Sequence, residues 1–216
     1  MKLRLNHCND KSFIFRCGRG LLPCMLLWFC YQRVSYKKKK DNYIMEKHVP
    51  VFISIGSNMG DKHDNCLKGI ELLNQLDQTT VAEVSPFYQT DPVDFIDQDW
   101  FVNGMVKITT SFSPVNLMSA LKGIEQDLGQ FEKSVRFGPR LIDLDIVFYD
   151  NLVMNQEAVI LPHPRMHTRR FVLKPLCDID ASIMHPVLKQ TAQSLLNELK
   201  EDEQNILLYA PRGSLS

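Results

Sequence analysis

Phe101-Val102-Asn103-Gly104-Met105-Val106-Lys107-Ile108-Thr109 alternates cleanly along its length. Successive side chains of a strand point to opposite faces. Val102, Gly104, Val106 and Ile108 therefore share one face, and Phe101, Asn103, Met105 and Lys107 share the other. The second face offers a flat ring and, two residues on, a side-chain amide. Upstream, Thr80 to Tyr88 reads as another strand, broken by Pro86. Downstream, a helix starts near Pro114 with Ser113 as its cap. Its stripe of Leu117, Leu121, Ile124 and Leu128 steps by four, three and four, and Gly129 closes it.

Further out, Val51-Phe52-Ile53-Ser54-Ile55 is a β-rich run ending at the turn cluster Gly56-Ser57-Asn58-Met59-Gly60-Asp61. A helix follows, with Leu67, Ile70, Leu73 and Leu76 at three-residue spacing on one face. On the far side, Leu144 to Phe148 is a fourth strand. The order is strand, helix, strand, strand, helix, strand. It predicts an α+β fold with a ferredoxin-like βαββαβ core, its helices packed on one face of a mainly antiparallel sheet. A short strand near Leu152-Val153-Met154 is expected to pair with Leu144–Phe148 across Asp150-Asn151. Thr191 to Leu199 reads as a last helix with Leu195, Leu196 and Leu199 inward. This architecture serves nucleic-acid binders, metal carriers and enzymes alike, so function must come from particular residues.

Arg136-Phe137-Gly138-Pro139-Arg140-Leu141-Ile142-Asp143-Leu144-Asp145-Ile146-Val147 supplies them. Asp143, Asp145 and Val147 share one strand face, and Leu144, Ile146 and Phe148 share the apolar one. Unpaired buried carboxylates are costly, so two acids on the opposite face need another explanation. Hard oxygen ligands at this spacing suit Mg²⁺, which is usually held by one or two carboxylates plus substrate phosphates. Arg140, at the Gly-Pro turn, is a natural phosphate partner because its planar fork matches phosphate oxygens. Together they point to a nucleotide-phosphate site. The chain has neither a Gly-x-x-x-x-Gly-Lys-Ser/Thr loop nor a Gly-x-Gly-x-x-Gly after a strand, so side chains and metal must hold any ATP.

The totals agree with one domain bearing an appendage. The 216 residues are 44% hydrophobic, enough for a core. A formal net charge of zero hides a split: residues 1–44 hold ten Lys/Arg and two Asp/Glu, and the remainder holds fifteen against twenty-three. Residues 1–44 therefore read as an N-terminal extension, disordered, loosely attached or upstream of a true start at Met45, with residues 45–216 as the working domain. The apolar run Leu21 to Tyr31 is shorter than the roughly 20 residues of a spanning helix. Gln32-Arg33 stands where a signal peptide would place small residues, and serine is scarce for a transit peptide. None of the six cysteines forms a Cys-x-x-Cys pair, and only Cys66 and Cys177 lie in the body. A zinc site is not indicated, and a reduced, cytoplasmic protein that neither spans nor binds a membrane is expected. A body of net −8 without a basic and aromatic surface pattern argues against an RNA-binding module.

The twelve-residue string closely resembles the signature of the 6-hydroxymethyl-7,8-dihydropterin pyrophosphokinase family, and similar stretches cover nearly all of Pro50 to Leu199. Ile55-Gly56-Ser57-Asn58-Met59-Gly60-Asp61 looks like the family's Gly-Ser-Asn-Leu-Gly-Asp start, although a capped helix start alone would read the same way. Tyr88-Gln89-Thr90-Asp91-Pro92-Val93 resembles its pterin-lining loop, which makes Thr90 and Val93 candidate pterin contacts. Leu161-Pro162-His163-Pro164-Arg165-Met166-His167-Thr168-Arg169-Arg170-Phe171-Val172-Leu173-Lys174-Pro175-Leu176 resembles its Pro-His-Pro…Arg…Phe-x-Leu-x-Pro-Leu block.

The resemblance implies transfer of pyrophosphate from ATP to the hydroxymethyl group of a dihydropterin, leaving AMP, in folate biosynthesis. Asp143 and Asp145 would hold two Mg²⁺ ions. Arg140, Arg169 and His163 would contact ATP phosphates, with Arg136 as a further phosphate candidate. Phe101 and Phe171 would sandwich the pterin while Asn103 pairs with its rim. Phe101 stands where the family often has tyrosine, so stacking survives and a hydroxyl is lost. Glu125 would join the nucleotide site, or be a solvated helix charge. Gln130 and Glu132 depart from basic positions of the family, leaving Lys133 and Arg136 to compensate; the departure keeps open a binding-only homologue, against which the intact Asp-x-Asp with Arg140 stands. No side chain stands out as a general base. A monomer that binds small molecules and no nucleic acid is expected.

Overall fold

The computed structural model describes residues 47–92, 98–129, 138–200 and 204–211. The N-terminal extension, Val93, Gln130, Glu132, Lys133 and Arg136 lie outside the described residues. Strand β1 (Val49–Ser57) leads to helix α1 (Lys62–Gln75), then β2 (Thr79–Val84), β3 (Tyr88–Thr90) and β4 (Phe101–Thr110). Helix α2 (Pro114–Asp127) and strand β5 (Asp143–Tyr149) complete the βαββαβ core. Beyond it come β6 (Met154–Gln156), β7 (Val159–Leu161), a 3₁₀ turn (Met166–Thr168), α3 (Arg170–Asp180), α4 (Ala192–Glu198) and β8 (Ile206–Leu208).

The sheet runs β5-β1-β4-β3-β8, with β2 pairing further along β4, and every pairing is antiparallel. The central place of β4 explains its sequence. Flanked by β1 on one edge and by β2 and β3 on the other, it is covered on both faces. Val102, Val106 and Ile108 pack with Ile53, Ile55, Leu144 and Ile146 beneath α1 and α2, as the alternation predicts. Ser113 caps α2 by accepting the Asn116 N–H at 3.3 Å, with Pro114 in the first turn.

The opposite face carries a second helical layer, of which the sequence reading held only the last helix, with Leu195 and Leu196 inward as read. α3 and α4 bring Val172, Leu173, Leu176, Leu195 and Leu196 against Phe52, Met105, Val147 and Phe148. Helix α3 was hidden because the side chain of Arg169 at its cap position makes no capping bond and Pro175 lies inside it.

Three local readings are corrected. Leu67 is exposed, while Leu73 is buried as read, beside Lys62, Cys66 and Gly69, which the stripe did not include. Steps of four and three hold one face of a 3.6-residue helix, whereas three successive steps of three carry Leu76 to the side opposite Leu67. Phe148 does not share the Leu144 and Ile146 face. The β1–β5 register shifts between Phe52 and Ile53, so Phe148 lies opposite Phe52 and their rings meet edge-on at 6.4 Å. Finally, Asp150 and Asn151 do turn the chain, but the strand beyond them pairs with β7 rather than β5.

Candidate active site

Register decides what the open end of the α3-covered face displays. Opposite residues of an antiparallel pair point the same way. Asn103 of β4 lies opposite Gly56 of β1, which lies opposite Asp143 of β5; one row along, Met105, Ser54 and Asp145 are aligned in the same way. On the other flank of β4, Thr90 lies opposite Phe101 and Tyr88 opposite Asn103. Polar groups from four strands thus converge on one cavity of about 250 Å³, bounded as well by His163, Arg165, Arg169, Phe171 and Arg140.

Asn103 is buried and its Nδ2 donates to Thr90 Oγ1 at 2.7 Å. Its amide lies directly over Gly56, where an added Cβ would stand 2.4 Å from Asn103 Oδ1. Glycine is needed there for space. Arg140 Nη1 forms an ion pair with Asp143 Oδ1. The Arg140 backbone is held by Asn58, whose Oδ1 accepts the Arg140 N–H at 2.7 Å while the Asn58 N–H donates to the Arg140 carbonyl at 3.1 Å. Asn58 Nδ2 also donates to Gln98 Oε1 at 3.0 Å, and Gln98 lines the cavity. The turn after β1 is therefore more than a helix cap. Asp61 does cap α1, accepting from the Asp64 N–H at 3.0 Å, but Asn58 joins three segments around the site.

His163 follows β7, and its N–H donates to the Val147 carbonyl at 3.0 Å. Its Nδ1 accepts the Arg165 N–H at 3.2 Å, which leaves Nε2 to carry the proton of the neutral ring. Burial lowers the His163 pKa; Asp145 opposes that shift, and Arg169 and Arg165 reinforce it. At the N-terminus of α3 the Arg169 guanidinium stands 5.3 Å from the Phe171 ring. Deeper in, Tyr88 Oη donates to Asp178 Oδ2 at 2.5 Å, tying β3 to α3, and Lys174 forms an ion pair with the same carboxylate.

Of the residues singled out by sequence, Thr90, Phe101, Asn103, Arg140, Asp143, Asp145, His163, Arg169 and Phe171 line this cavity. Glu125 does not. It is buried on α2 under the opposite face, so a solvated helix charge is excluded. Its Oε1 accepts the Leu144 N–H at 2.9 Å and pairs with Lys122 at 2.6 Å. Burial raises its pKa, and Lys122 opposes the shift. It thus grips the backbone between the two aspartates. Sequence reasoning missed Ser54, Gly56, Gln98, Asp91 and Arg165 as lining residues. Ser54 and Gly56 were within reach, since β1 alternates and any partner of the Asp143 face must share its parity.

No cluster of three His, Cys, Asp or Glu groups suited to a metal occurs among the described residues. The donor set is instead two carboxylates on one strand face beside arginines, which fits Mg²⁺ completed by substrate phosphates. Among the described residues, no helix is long and apolar enough to cross a membrane.

Residues 52–181 match the sequence model of 7,8-dihydro-6-hydroxymethylpterin-pyrophosphokinase (HPPK). The chain is 43% identical over 128 residues to the 2-amino-4-hydroxy-6-hydroxymethyldihydropteridine pyrophosphokinase of Bacillus subtilis, covering 59% of this chain and 76% of that one. It is 37% identical over 182 residues to the folic acid synthesis protein fol1 of Schizosaccharomyces pombe, covering 83% of this chain. That match spans only 24% of the fungal protein. Among solved structures, wild-type Plasmodium falciparum HPPK-DHPS with pterin and p-hydroxybenzoate superposes with a TM-score of 0.54 at 15% identity. It covers 70% of this chain and 42% of that one, and supports the fold.

Proposed function

The chain belongs to the 7,8-dihydro-6-hydroxymethylpterin-pyrophosphokinase family, and we propose that it transfers the β,γ-pyrophosphate of ATP to 6-hydroxymethyl-7,8-dihydropterin in folate synthesis. The hydroxymethyl oxygen attacks the β-phosphorus, the bond from that phosphorus to the α,β-bridging oxygen breaks, and AMP leaves. The hydroxyl proton passes to solvent. The observation that carries this reading is the shared row of β4, β1 and β5. It sets the Asn103 amide and the Asp143 carboxylate on one face of one cavity, which supports a pterin contact beside a phosphate site.

In this reading Phe101 and Phe171 clasp the planar heterocycle, and Asn103, fixed by Thr90, pairs with its rim. Asp143 and Asp145 would hold two Mg²⁺ ions, which supply charge neutralisation to the triphosphate. Transfers of this kind need positioning and charge stabilisation rather than covalent catalysis. Arg140, Arg169 and His163 supply it as ATP contacts, His163 as a neutral Nε2–H donor. Glu125 acts behind them by holding the Asp143–Asp145 backbone. The protein works as a cytoplasmic monomer with no nucleic-acid or membrane partner.

An AMP-release assay of the full chain with ATP and Mg²⁺, with and without the dihydropterin, tests the proposal. Pterin-dependent AMP is the expected result, and Arg140→Ala should slow it about 10²-fold or more. ATP and pterin binding without AMP would indicate a binding-only protein.

A further inference from the structure

Gln204 to Tyr209 follows the stretch matched by the family and takes no part in the chemistry above. It nonetheless touches both walls of the cavity. Strand β8 pairs with β3, placing Ile206 opposite Thr90. Asn205 Nδ2 donates to Asp91 Oδ2 at 2.8 Å. One residue earlier the chain grips the other wall. Gln204 Oε1 accepts the Arg170 N–H at 2.8 Å, and its Nε2 donates to the Thr168 carbonyl at 3.0 Å.

The Arg170 N–H belongs to the first turn of α3, where backbone donors have no partner within the helix. The side chain of the residue at the cap position, Arg169, makes no capping bond. Gln204 therefore does from outside what a Ser or Asp cap does locally. Its two bonds bracket Arg169, and Phe171 follows in the same turn.

We propose that Gln204 is a positioning residue for the pterin slot. Capping α3 through a distant side chain fixes the angle at which Arg169 and Phe171 meet the cavity. Through Asn205 and β8 the same few residues hold the wall bearing Thr90 and Asp91, so the separation of the two walls is set by one short strap. The ligand served is a planar heterocycle with rim donors and acceptors, which rests on the pyrophosphokinase reading above.

The test compares the full chain with Gln204→Ala and Gln204→Glu, varying pterin and ATP separately in the AMP-release assay and following thermal unfolding. Gln204→Ala should raise the KM for pterin about tenfold, the order expected of two lost hydrogen bonds, with a smaller change in kcat. Gln204→Glu keeps the acceptor for Arg170 and loses only the donor to Thr168, so it should recover part of the loss. An unchanged pterin KM in Gln204→Ala overturns the proposal, as does a fall in Tm and kcat with KM intact. If the unsubstituted chain releases no AMP, the pyrophosphokinase reading fails. Binding of 6-hydroxymethylpterin, followed by protein fluorescence, then decides: about tenfold weakening in Gln204→Ala sustains the positioning role, and equal or absent binding ends it.

Discussion

The two faces of the central sheet use alternate residues of the same strands, yet one is closed and the other is left partly open. Beneath α1 and α2, Ile53, Ile55, Val106, Leu144 and Ile146 form a continuous aliphatic core. On the other face the apolar residues fill only one end, where Phe52, Met105, Val147 and Phe148 lie under α3 and α4. Two to four residues along the same strands, Gly56, Asn103, Asp143 and Asp145 face the cavity. Stability and chemistry are thus separated first by strand parity and then by distance along the strand. The open end tolerates its polar groups because they are matched, Asn103 with Thr90 and Asp143 with Arg140.

That division makes opposite substitutions behave differently. Asp145→Ala and Asp143→Ala should bring pyrophosphate transfer to background while leaving pterin binding nearly unchanged, and Asp145→Ala should leave the unfolding midpoint where it was, whereas Asp143→Ala also strands Arg140. Near-normal AMP release from either would remove the open face from the chemistry. Leu121→Ala empties a fully buried position of the closed core, and such truncations cost about 2–5 kcal/mol. Denaturant unfolding should show that loss while the folded protein keeps its KM values.

Glu125 tests the boundary between the two faces, since it lies under the closed one and holds the strand that serves the open one. Glu125→Ala leaves the buried Leu144 N–H unpaired, a cost of about 1–3 kcal/mol. It should also lower kcat by loosening the aspartate pair. Glu125→Gln retains an acceptor and should restore most of both; a stable, fully active Glu125→Ala would show that the strand needs no such support.

The smallest effect concerns pH. Burial lowers the pKa of His185, whose Nδ1 accepts from the Val187 and Leu188 N–H groups; His167 adds to the shift. The unfolded chain then takes up a proton near pH 6.5 that the folded one resists. Stability is full above that value and falls as the pH drops through it. Tm measured from pH 8 to 5.5 should decline, and less steeply in His185→Gln. Parallel curves would exclude His185 as a source.

Much of this was legible in the sequence because period and parity carry it. The alternation of Phe101 to Thr109 placed Asn103 and Phe101 on a single face, and the Asp-x-Asp spacing did the same for the carboxylates. Legibility ended where a long-range partner overrides a local rule. The bulge that turns Phe148 over depends on the register with β1, and α3 lacks both a polar cap and an unbroken helical sequence. Gly56 looked like a turn residue, and its real constraint comes from Asn103, far away in sequence. Glu125 looked like a surface or nucleotide charge because its partner is a backbone N–H that only folding delivers.

The row that aligns Asn103, Gly56 and Asp143 across three neighbouring strands makes the sheet a ruler. Strands lie about 4.8 Å apart, so the amide and the carboxylate are anchored two such steps from each other, at about 10 Å. That interval is set by backbone hydrogen bonds and cannot stretch to suit a ligand. On the proposed function, a pterin alcohol one carbon longer than hydroxymethyldihydropterin would stack as well, yet its oxygen would arrive about 1 Å or more out of place. Misplacement on that scale can cost about 10²-fold in rate. Discrimination among pterin alcohols should therefore appear in turnover rather than in binding, with the spacing of the strands as the gauge.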